Sequence, residues 1–287
     1  MNRPPELPQA GVRVSLRYLR PPGSEPPMGD VIGKLEQTGP LVRVRAADGV
    51  VHEFRHADVL YVRRLTDRPV KNSAIRAVEH AAALARPGGE HQWLDGWLLH
   101  FAAGADLTTN SAVPLDMFAH TNTIPAIVDW YARRDLPACL AVPERLLRLP
   151  EDIPTVHETR TLVCNVAAGP APDEVTVTDG ERAGDGTVAT ASIREVATAR
   201  GTVTDSPDGT RWLGIWEVHV AADQRRRGYG RAICAALQVW GADRGATRGY
   251  AQVPSTDTAA FAFFESVGLT GQHRTRYLNA ADLGWLA

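Results

Sequence analysis

The sequence predicts an α/β (α+β) fold, in which helices flank a mixed sheet and a small all-β barrel precedes them. From Val175 onward, strand and helix patterns alternate, an order typical of a sheet with helices packed on it. Before residue 68, about five short strand patterns lie close together, which is typical of a small barrel of SH3-like size. We expect a barrel over residues 10–67, a middle region over 72–168 and a C-terminal domain over 172–287.

The barrel is predicted from alternation and from a turn. Val12, Val14, Leu16 and Tyr18 alternate with polar residues, which is the period of a half-buried strand. Asp48-Gly49 is a hairpin signal between two apolar segments. The remaining strands are expected at residues 31–35, 41–45, 50–54 and 59–62.

The rest of the chain shows both periods. Ile75, Val78 and Ala82 share one face of a helix predicted over Asn72–Arg86. Further helices are expected at residues 124–134, 226–241 and 258–266. Strands are expected at 97–101, 110–115, 160–166, 187–193, 197–204, 212–220, 249–253 and 274–278.

The totals exclude several classes of protein. The net charge is −2, so the chain is not a polycation built to coat nucleic acid, and no apolar run approaches a membrane span. The N-terminus has no secretory pattern, and the three cysteines are far apart, so we expect reduced thiols in a cytoplasmic protein. The nine histidines lack ligand spacing, so no metal is expected.

The segment Gln224 to Gly230 carries the chemistry. It is a loop with three arginines and two glycines between an apolar strand and a helix. Glycines let backbone approach a ligand, the first helical turn leaves N–H groups free, and arginines suit phosphate. A pyrophosphate fits this loop, although a solvated basic turn would have the same composition. Neither a P-loop nor a Rossmann fingerprint is present.

The pattern Arg225-x-x-Gly228-x-Gly230 after an apolar strand resembles the acetyl-CoA loop of the GNAT family of N-acetyltransferases. Residues 237–245, 249–253 and 259–269 are similar to the family's following helix, strand and helix, so the resemblance covers about 175–280. Residues 95–101 and 110–115 look like the N-terminal half of actinobacterial members. Some of these carry an SH3-like domain in front, and they are labelled histone-acetyltransferase-like or N-acetylglutamate-synthase-like.

The resemblance implies acetyl-CoA as co-substrate and direct attack on it by a primary amine, from a protein lysine, a protein N-terminus or a small molecule. It implies that the middle region, 72–168, contributes the acceptor side. It further implies that the following residues hold the coenzyme: Val218, His219, Val220, Arg225, Arg226, Arg227, Gly228, Tyr229, Gly230, Arg231, Asp257 and Phe264.

Glu217 and His219 are the candidate base and its assistant. They alternate with Trp216, Val218 and Val220, so they are expected to share one face of an apolar strand. An acid and a histidine in that position could take a proton from the amine. They could equally form a structural hydrogen-bond pair or part of a surface face.

The proton donor is less defined by the pattern. Many family members have Tyr where this chain has Phe264 and Glu where it has Gln252, and phenylalanine cannot donate a proton. Tyr277 is the candidate substitute, with an aromatic core position as the alternative. Asp257 stands where Asn is usual near the coenzyme.

These departures leave a second hypothesis open, a non-catalytic acetyl-CoA-binding sensor or interaction protein. The N-terminal barrel could dock a nucleic acid or peptide, or it could be structural or form a homodimer. Its mild excess of basic residues does not establish DNA binding, so a nucleic-acid partner is not expected, nor is a membrane.

Overall fold

The computed structural model describes residues 5, 7–46, 48–65, 70–85, 89–150, 152–166, 168–180 and 186–284. The chain divides into two compact units, Met1–Pro69 and Val70–Ala287. Within the described ranges, no helix combines the length and the apolar character that a membrane crossing requires. The expected barrel boundary at residue 67 and the expected helix end at Arg86 lie outside the described residues.

The first unit is a five-stranded antiparallel sheet in the order β4-β3-β2-β1-β5. Its strands are β1 (Arg13–Leu19), β2 (Met28–Gln37), β3 (Leu41–Ala46), β4 (Val51–Arg55) and β5 (Val59–Leu65). Val14, Leu16, Leu35, Val42 and Val44 are fully buried in its core. Their period of two places them on one face, which confirms the all-β expectation.

The second unit is built on one eleven-stranded sheet, in the order β11-β12-β13-β14-β15-β10-β16-β9-β8-β7-β6. Its elements in chain order are α1 (Asn72–Leu84), β6 (Glu90–Leu94), β7 (Trp97–Phe101), β8 (Ser111–Pro114), α2 (Ile124–Ala132), β9 (Cys139–Pro143), β10 (Thr155–Asn165), β11 (Thr176–Asp179), β12 (Thr187–Ile193), β13 (Ala197–Asp205), β14 (Arg211–Val220), α3 (Tyr229–Asp243), β15 (Arg248–Pro254), α4 (Thr258–Ser266) and β16 (Thr270–Asn279).

Helices cover both faces of this sheet. Tyr250 of β15 packs against α1, whereas its neighbour Ala251 packs with α3 and α4. Because successive side chains of a strand point to opposite faces, α1 lies on one face and α3 and α4 on the other. The mixed α/β fold with flanking helices is therefore confirmed. We call these the α1 face and the α3 face.

The second unit differs from the expectation in several elements. Strands β6, β9 and β11 are present but were not predicted. Helix α3 begins at Tyr229 rather than at Arg226, because Arg226 and Gly228 have φ angles of 63° and 91°, outside the helical region. Strands from both sides of the expected boundary at residues 168–172 belong to one sheet, because β10 lies between β15 and β16. The division of labour between the two halves stays a prediction.

Candidate functional site: an opening between two parallel strands

Strands β14 and β15 separate part-way along the sheet. Their parallel pairing joins Trp212 to Arg248, Leu213 to Gly249 and Gly214 to Tyr250, and it stops there. Strand β14 continues to Val220 and remains paired with β13 on its other side. The segment from Ile215 to Val220, about 20 Å long at 3.3 Å per residue, therefore presents one backbone edge to an opening. Free N–H and C=O groups on such an edge can bind the amides of an extended ligand.

A β-bulge lies in the exposed part of β14. The register against β13 shifts between Thr198 and Arg200, and Glu217 has a φ of 50°. An extra residue in one strand changes which face the following side chains take. Beyond the bulge, Val218 and Val220 pack against the core of the α3 face.

The bulge corrects one part of the sequence reasoning. Trp216 does not share the environment of Val218 and Val220, as strict alternation would require. Its indole Nε1 donates to the Thr202 hydroxyl at 3.0 Å, and the Arg200 guanidinium lies 4.4 Å from its ring centroid. Thr204, on the same face of β13 as Thr202, donates to the carbonyl of Ala81 in α1. Trp216 therefore lies on the α1 face.

Glu217 and His219 are both exposed, as a group that exchanges protons with a substrate must be. The Glu217 carboxylate lies 3.7 Å from the Arg200 guanidinium, whose partner Trp216 is on the α1 face. His219 follows Val218, which points to the α3 face, so its side chain also points to the α1 face. The expected common face of Glu217 and His219 is consistent with this geometry, and their roles stay predictions.

The arginine-rich loop ends in the first turn of α3. Gly228 is the residue before the helix, and it has no side chain to cap the turn. The first hydrogen bond across this turn runs from Ala232 N–H to the Gly228 carbonyl. Within the described residues, the N–H groups of Tyr229, Gly230 and Arg231 have no acceptor. They point out of the helix N-terminus, where the helix dipole also favours an anion.

The three arginines of the loop and Arg231 of α3 divide into two pairs. Arg225 donates to the Val220 carbonyl at 3.2 Å, and Arg231 donates to the Ser266 carbonyl at 2.8 Å, so these two brace the loop. Arg226 and Arg227 are exposed and, among the described residues, make no hydrogen bond or ion pair. Their guanidinium groups are available to a phosphate.

Three other residues expected at the site lie elsewhere or have another role. The Asp257 carboxylate accepts from Ala260 N–H at 2.8 Å and caps α4. Phe264 is buried in the core of the α3 face, with its ring 5.3 Å from Phe263. Tyr277 is buried in a different cluster, where its ring lies 5.5 Å from that of His157. None of the three is placed in the opening by these contacts.

A buried polar cluster on the α1 face was missed by the sequence reasoning. The Oε1 atom of Glu79 in α1 accepts from Gln252 Nε2 at 2.9 Å and from Thr161 Oγ1 at 3.1 Å. It also lies 2.9 Å from His273 Nε2. Glu79 is three residues from Ala82 and four from Ile75 on the apolar helix face, which is the signal that could have located it.

The chain is similar in sequence to proteins that are already known. The family model described as "Probable histone acetyltransferase Rv0428c C-terminal" matches residues 72–278. "Probable histone acetyltransferase Rv0428c" of Mycobacterium tuberculosis is 47% identical over 297 residues, covering 97% of this chain and 98% of that protein. The chain belongs to the Rv0428c family. The resemblance to N-acetyltransferases, drawn from the residues around Gly228, is thereby confirmed.

The N-terminal unit of this Rv0428c family member requires a finer description. The model described as "Rv0428c N-terminal Sm-like domain" matches residues 8–63. The unit is all-β as expected, but the family describes it as Sm-like rather than SH3-like. Both descriptions concern small five-stranded units, and the short-strand pattern could not distinguish them. Among the described residues, no pairing joins β4 to β5, so closure into a barrel is not observed.

Two solved structures of acetyltransferases are also similar to the chain. The "GCN5-related N-acetyltransferase from Kribbella flavida" is 16% identical, with a TM-score of 0.49, over 72% of this chain and 94% of its own. A "Putative Acetyltransferase from the GNAT family" from Novosphingobium aromaticivorans is 17% identical, with a TM-score of 0.35, over 50% of this chain and 73% of its own.

Proposed function

We propose that this protein transfers the acetyl group of acetyl-CoA to a primary amine. The observation that carries the proposal is the path of the main chain, which leads from the edge of β14 that β15 leaves unpaired, at Ile215 to Val220, to the free N–H groups at Tyr229 to Arg231. One end of this path suits a doubly charged pyrophosphate. The other end is an extended backbone edge that suits a chain with amide groups.

The residues of the opening fit acetyl-CoA. Its pyrophosphate would accept from the N–H groups of the first turn of α3 and from Arg226 and Arg227. The backbone edge of β14 from Ile215 to Val220 would hydrogen-bond the two amides of the pantetheine arm. Val218, His219 and Val220 belong to that edge, and their main-chain groups are the predicted contacts of the arm.

When bound, acetyl-CoA supplies the thioester carbonyl at which an amine can attack. Glu217 would take the amine proton, directly or through a water molecule, and His219 would assist it. The bulge at Glu217 directs this carboxylate to the α1 face, where Arg200 holds it at 3.7 Å. A main-chain N–H of the β14 edge would donate to the carbonyl oxygen as negative charge develops on it.

The proton of the leaving thiol needs a donor other than Phe264, because a phenyl ring has no acidic proton. Tyr277 stays the predicted donor, although it is buried beside His157. A Tyr277→Phe substitution tests this role. It would lower the rate of transfer without weakening acetyl-CoA binding if the phenol donates the proton.

We propose a protein lysine as the acceptor amine. The support is the name of the relative from Mycobacterium tuberculosis, a probable histone acetyltransferase that aligns over nearly the whole chain. A protein N-terminus and a small amine are the other acceptors to be screened. A homodimer and a cytoplasmic location likewise stay predictions.

The experiment has two parts. Isothermal titration with acetyl-CoA measures binding, and thiol release in the presence of amino acids, polyamines, aminoglycosides and lysine-rich peptides measures transfer. Glu217→Gln would leave the dissociation constant for acetyl-CoA within about twofold and lower kcat by about 10² to 10⁴, the usual contribution of a general base. Glu195→Gln, an exposed glutamate in the turn after β12, is the matched control.

A second candidate function is a non-catalytic sensor that binds acetyl-CoA and contacts a partner. Phe264 favours it, because the residue is buried in the core and supplies no proton. The same titration and release assays separate the two functions. Binding of acetyl-CoA without amine-dependent thiol release would favour the sensor, and release that disappears in Glu217→Gln would exclude it.

A further inference from the structure

We infer that Gln252 binds the acceptor amine through its side-chain carbonyl oxygen, and that Glu79 is the positioning residue that sets its orientation. The inference rests on the proposed function, since it concerns the amine that attacks acetyl-CoA. It assigns a purpose to the buried carboxylate of α1, which lies outside the acetyl-CoA loop.

The polar cluster is one row of side chains across three neighbouring strands. Thr161 of β10 is directly paired with Gln252 of β15 on one side and with His273 of β16 on the other. All three side chains reach the same oxygen of Glu79, which is only 3% exposed. Burial of a carboxylate is costly unless it is paired and hydrogen-bonded, so the row is held in one arrangement.

His273 is the third partner of Glu79. Its Nε2 lies 2.9 Å from Glu79 Oε1, and its Nδ1 lies 3.0 Å from Gln272 Oε1. The same Glu79 oxygen accepts from the Thr161 hydroxyl and from the Gln252 amide.

An acceptor at that position fixes the amide of Gln252. The Nε2 group donates to Glu79 Oε1 at 2.9 Å, and a flipped amide would place Oε1 against the carboxylate, which is repulsive. The Gln252 carbonyl oxygen must therefore point away from Glu79. Among the described residues, nothing donates to that oxygen, and the Gln252 side chain is only partly buried.

The position of Gln252 relates this oxygen to the proposed reaction. Gln252 lies two residues beyond Tyr250, at which the pairing of β14 with β15 stops. Its side chain is on the α1 face, as Glu79 is, and Glu217 is held on that face by Arg200. An amide oxygen from β15 and a carboxylate from β14 thus flank the opening on one face, and both accept hydrogen bonds from an amine.

The neighbouring row independently favours a polar ligand on this face. Thr159 and Thr275 are paired across β10 and β16, two residues beyond Thr161 and His273. They are 8% and 0% exposed, and their hydroxyl oxygens have no hydrogen-bond partner within the described residues. A second row of hydroxyl groups, rather than an apolar surface, therefore continues the site on the α1 face.

The test combines five variants with two substrates, and two of the five are the double variant of Glu79→Leu with Gln252→Met and the conservative Glu79→Gln. Gln252→Met keeps the length of the side chain but removes the amide, and Glu79→Leu removes the carboxylate that orients it. Gln37→Met, an exposed amide of the N-terminal unit, is the matched control. Thiol release would be measured with varied lysine-rich peptide and with varied spermidine, and acetyl-CoA binding would be measured by calorimetry.

We expect Gln252→Met to lower kcat/KM for the amine by about tenfold, the effect of one lost hydrogen bond to a polar or charged group. Its acetyl-CoA dissociation constant should stay within about twofold. Glu79→Leu combined with Gln252→Met should lose no more kcat/KM than the poorer single variant, because both changes remove one interaction. Glu79→Gln, which keeps an oxygen acceptor, should recover part of the loss.

Two results would overturn the inference while leaving the proposed function intact. One is a Gln252→Met variant whose kcat/KM for both amines stays within twofold of the wild type while it binds acetyl-CoA normally. The other is full additivity of Glu79→Leu and Gln252→Met, which would give Glu79 only a structural role. Unfolding in urea separates a loss of fold from a loss of amine binding. A wild-type protein that releases no thiol with any amine would refute the proposed function, and this inference with it.

Discussion

Replacing Arg226 and Arg227 together by alanine tests the coenzyme site most directly. These side chains are exposed and have no partner among the described residues, so their removal breaks no contact that stabilises the fold. The free energy of unfolding should therefore change by less than about 0.5 kcal/mol. Any larger effect on acetyl-CoA binding would then reflect a contact with the ligand rather than a damaged loop.

The expected magnitude follows from the contacts. A hydrogen bond to a charged group contributes about 1.5–3 kcal/mol, and the exposure of this loop favours the lower end because salt screens exposed charges. Two lost arginine–phosphate contacts therefore cost about 3 kcal/mol. At about 1.4 kcal/mol per tenfold change, the dissociation constant for acetyl-CoA should rise about a hundredfold.

Calorimetry with two ligands separates this effect from others. Acetyl-pantetheine lacks the pyrophosphate, so its affinity should be the same for the double variant and the wild type. Arg133→Ala, which removes an exposed arginine just after α2, should leave both affinities unchanged. A double variant that binds acetyl-CoA within threefold of the wild type would refute the assignment of this loop to the pyrophosphate.

Three further predictions concern the surroundings of the site. Asp257→Ala should lower the free energy of unfolding by about 1 kcal/mol, because it removes the carboxylate that accepts from Ala260 N–H and caps α4. Denaturant titration checks this. A fivefold loss of acetyl-CoA affinity would instead place the Asp257 carboxylate on the coenzyme. Gly230→Ala should change the free energy of unfolding by no more than about 1 kcal/mol in the same assay, because the crowding of its new Cβ, 3.0 Å from the partly buried Phe263 ring, opposes the advantage of about 1 kcal/mol that alanine has over glycine in a helix. Burial raises the pKa of the Cys234 thiol to about 12, so a thiol reagent at pH 8 should modify it only as fast as the protein unfolds. Above the ordinary thiol pKa of about 8.5 the unfolded chain loses this proton first, so the contribution of Cys234 to stability should fall as pH rises towards 12.

Local patterns sufficed for much of the fold. The helix expected over Thr258–Ser266 has those bounds in the structure, and Asp257 immediately before it is an N-cap residue type. The strand before Arg225 and the helix after Gly228 are both present, so the loop between them ends at a helix start as expected, and the anion site there stays a prediction. These features depend on residues within a few positions of one another, where propensity and capping act.

The bulge at Glu217 could not be predicted in this way. Trp216 to Val220 reads as uninterrupted alternation, and nothing in those residue types marks the extra residue. The bulge depends on how β14 meets β13, which is a tertiary property. The same is true of Glu79, whose partners Gln252 and His273 are 173 and 194 residues away along the chain.

Two local features lie at the opening, a glycine at its closed end and a bulge along its open side, and together they give its faces different chemistry. At its closed end, Gly214 of β14 is paired with Tyr250 of β15, and this is the last pair of the two strands. A Cβ at position 214 would lie 2.5 Å from the Tyr250 hydroxyl, so this pair fits only with glycine there. Along its open side, the bulge at Glu217 sends Val218 and Val220 into the core of the α3 face and leaves the carboxylate towards the α1 face.

The consequence is a division of the site by face. The N–H groups that suit a pyrophosphate belong to α3, whereas the acceptors that suit an amine, Glu217 and Gln252, lie on the α1 face. An anionic coenzyme and a cationic amine would then reach the β14 edge from opposite sides of the sheet. In that arrangement the two charged substrates would not compete for one entrance, and the amine would meet the Glu217 carboxylate beside the Arg200 guanidinium.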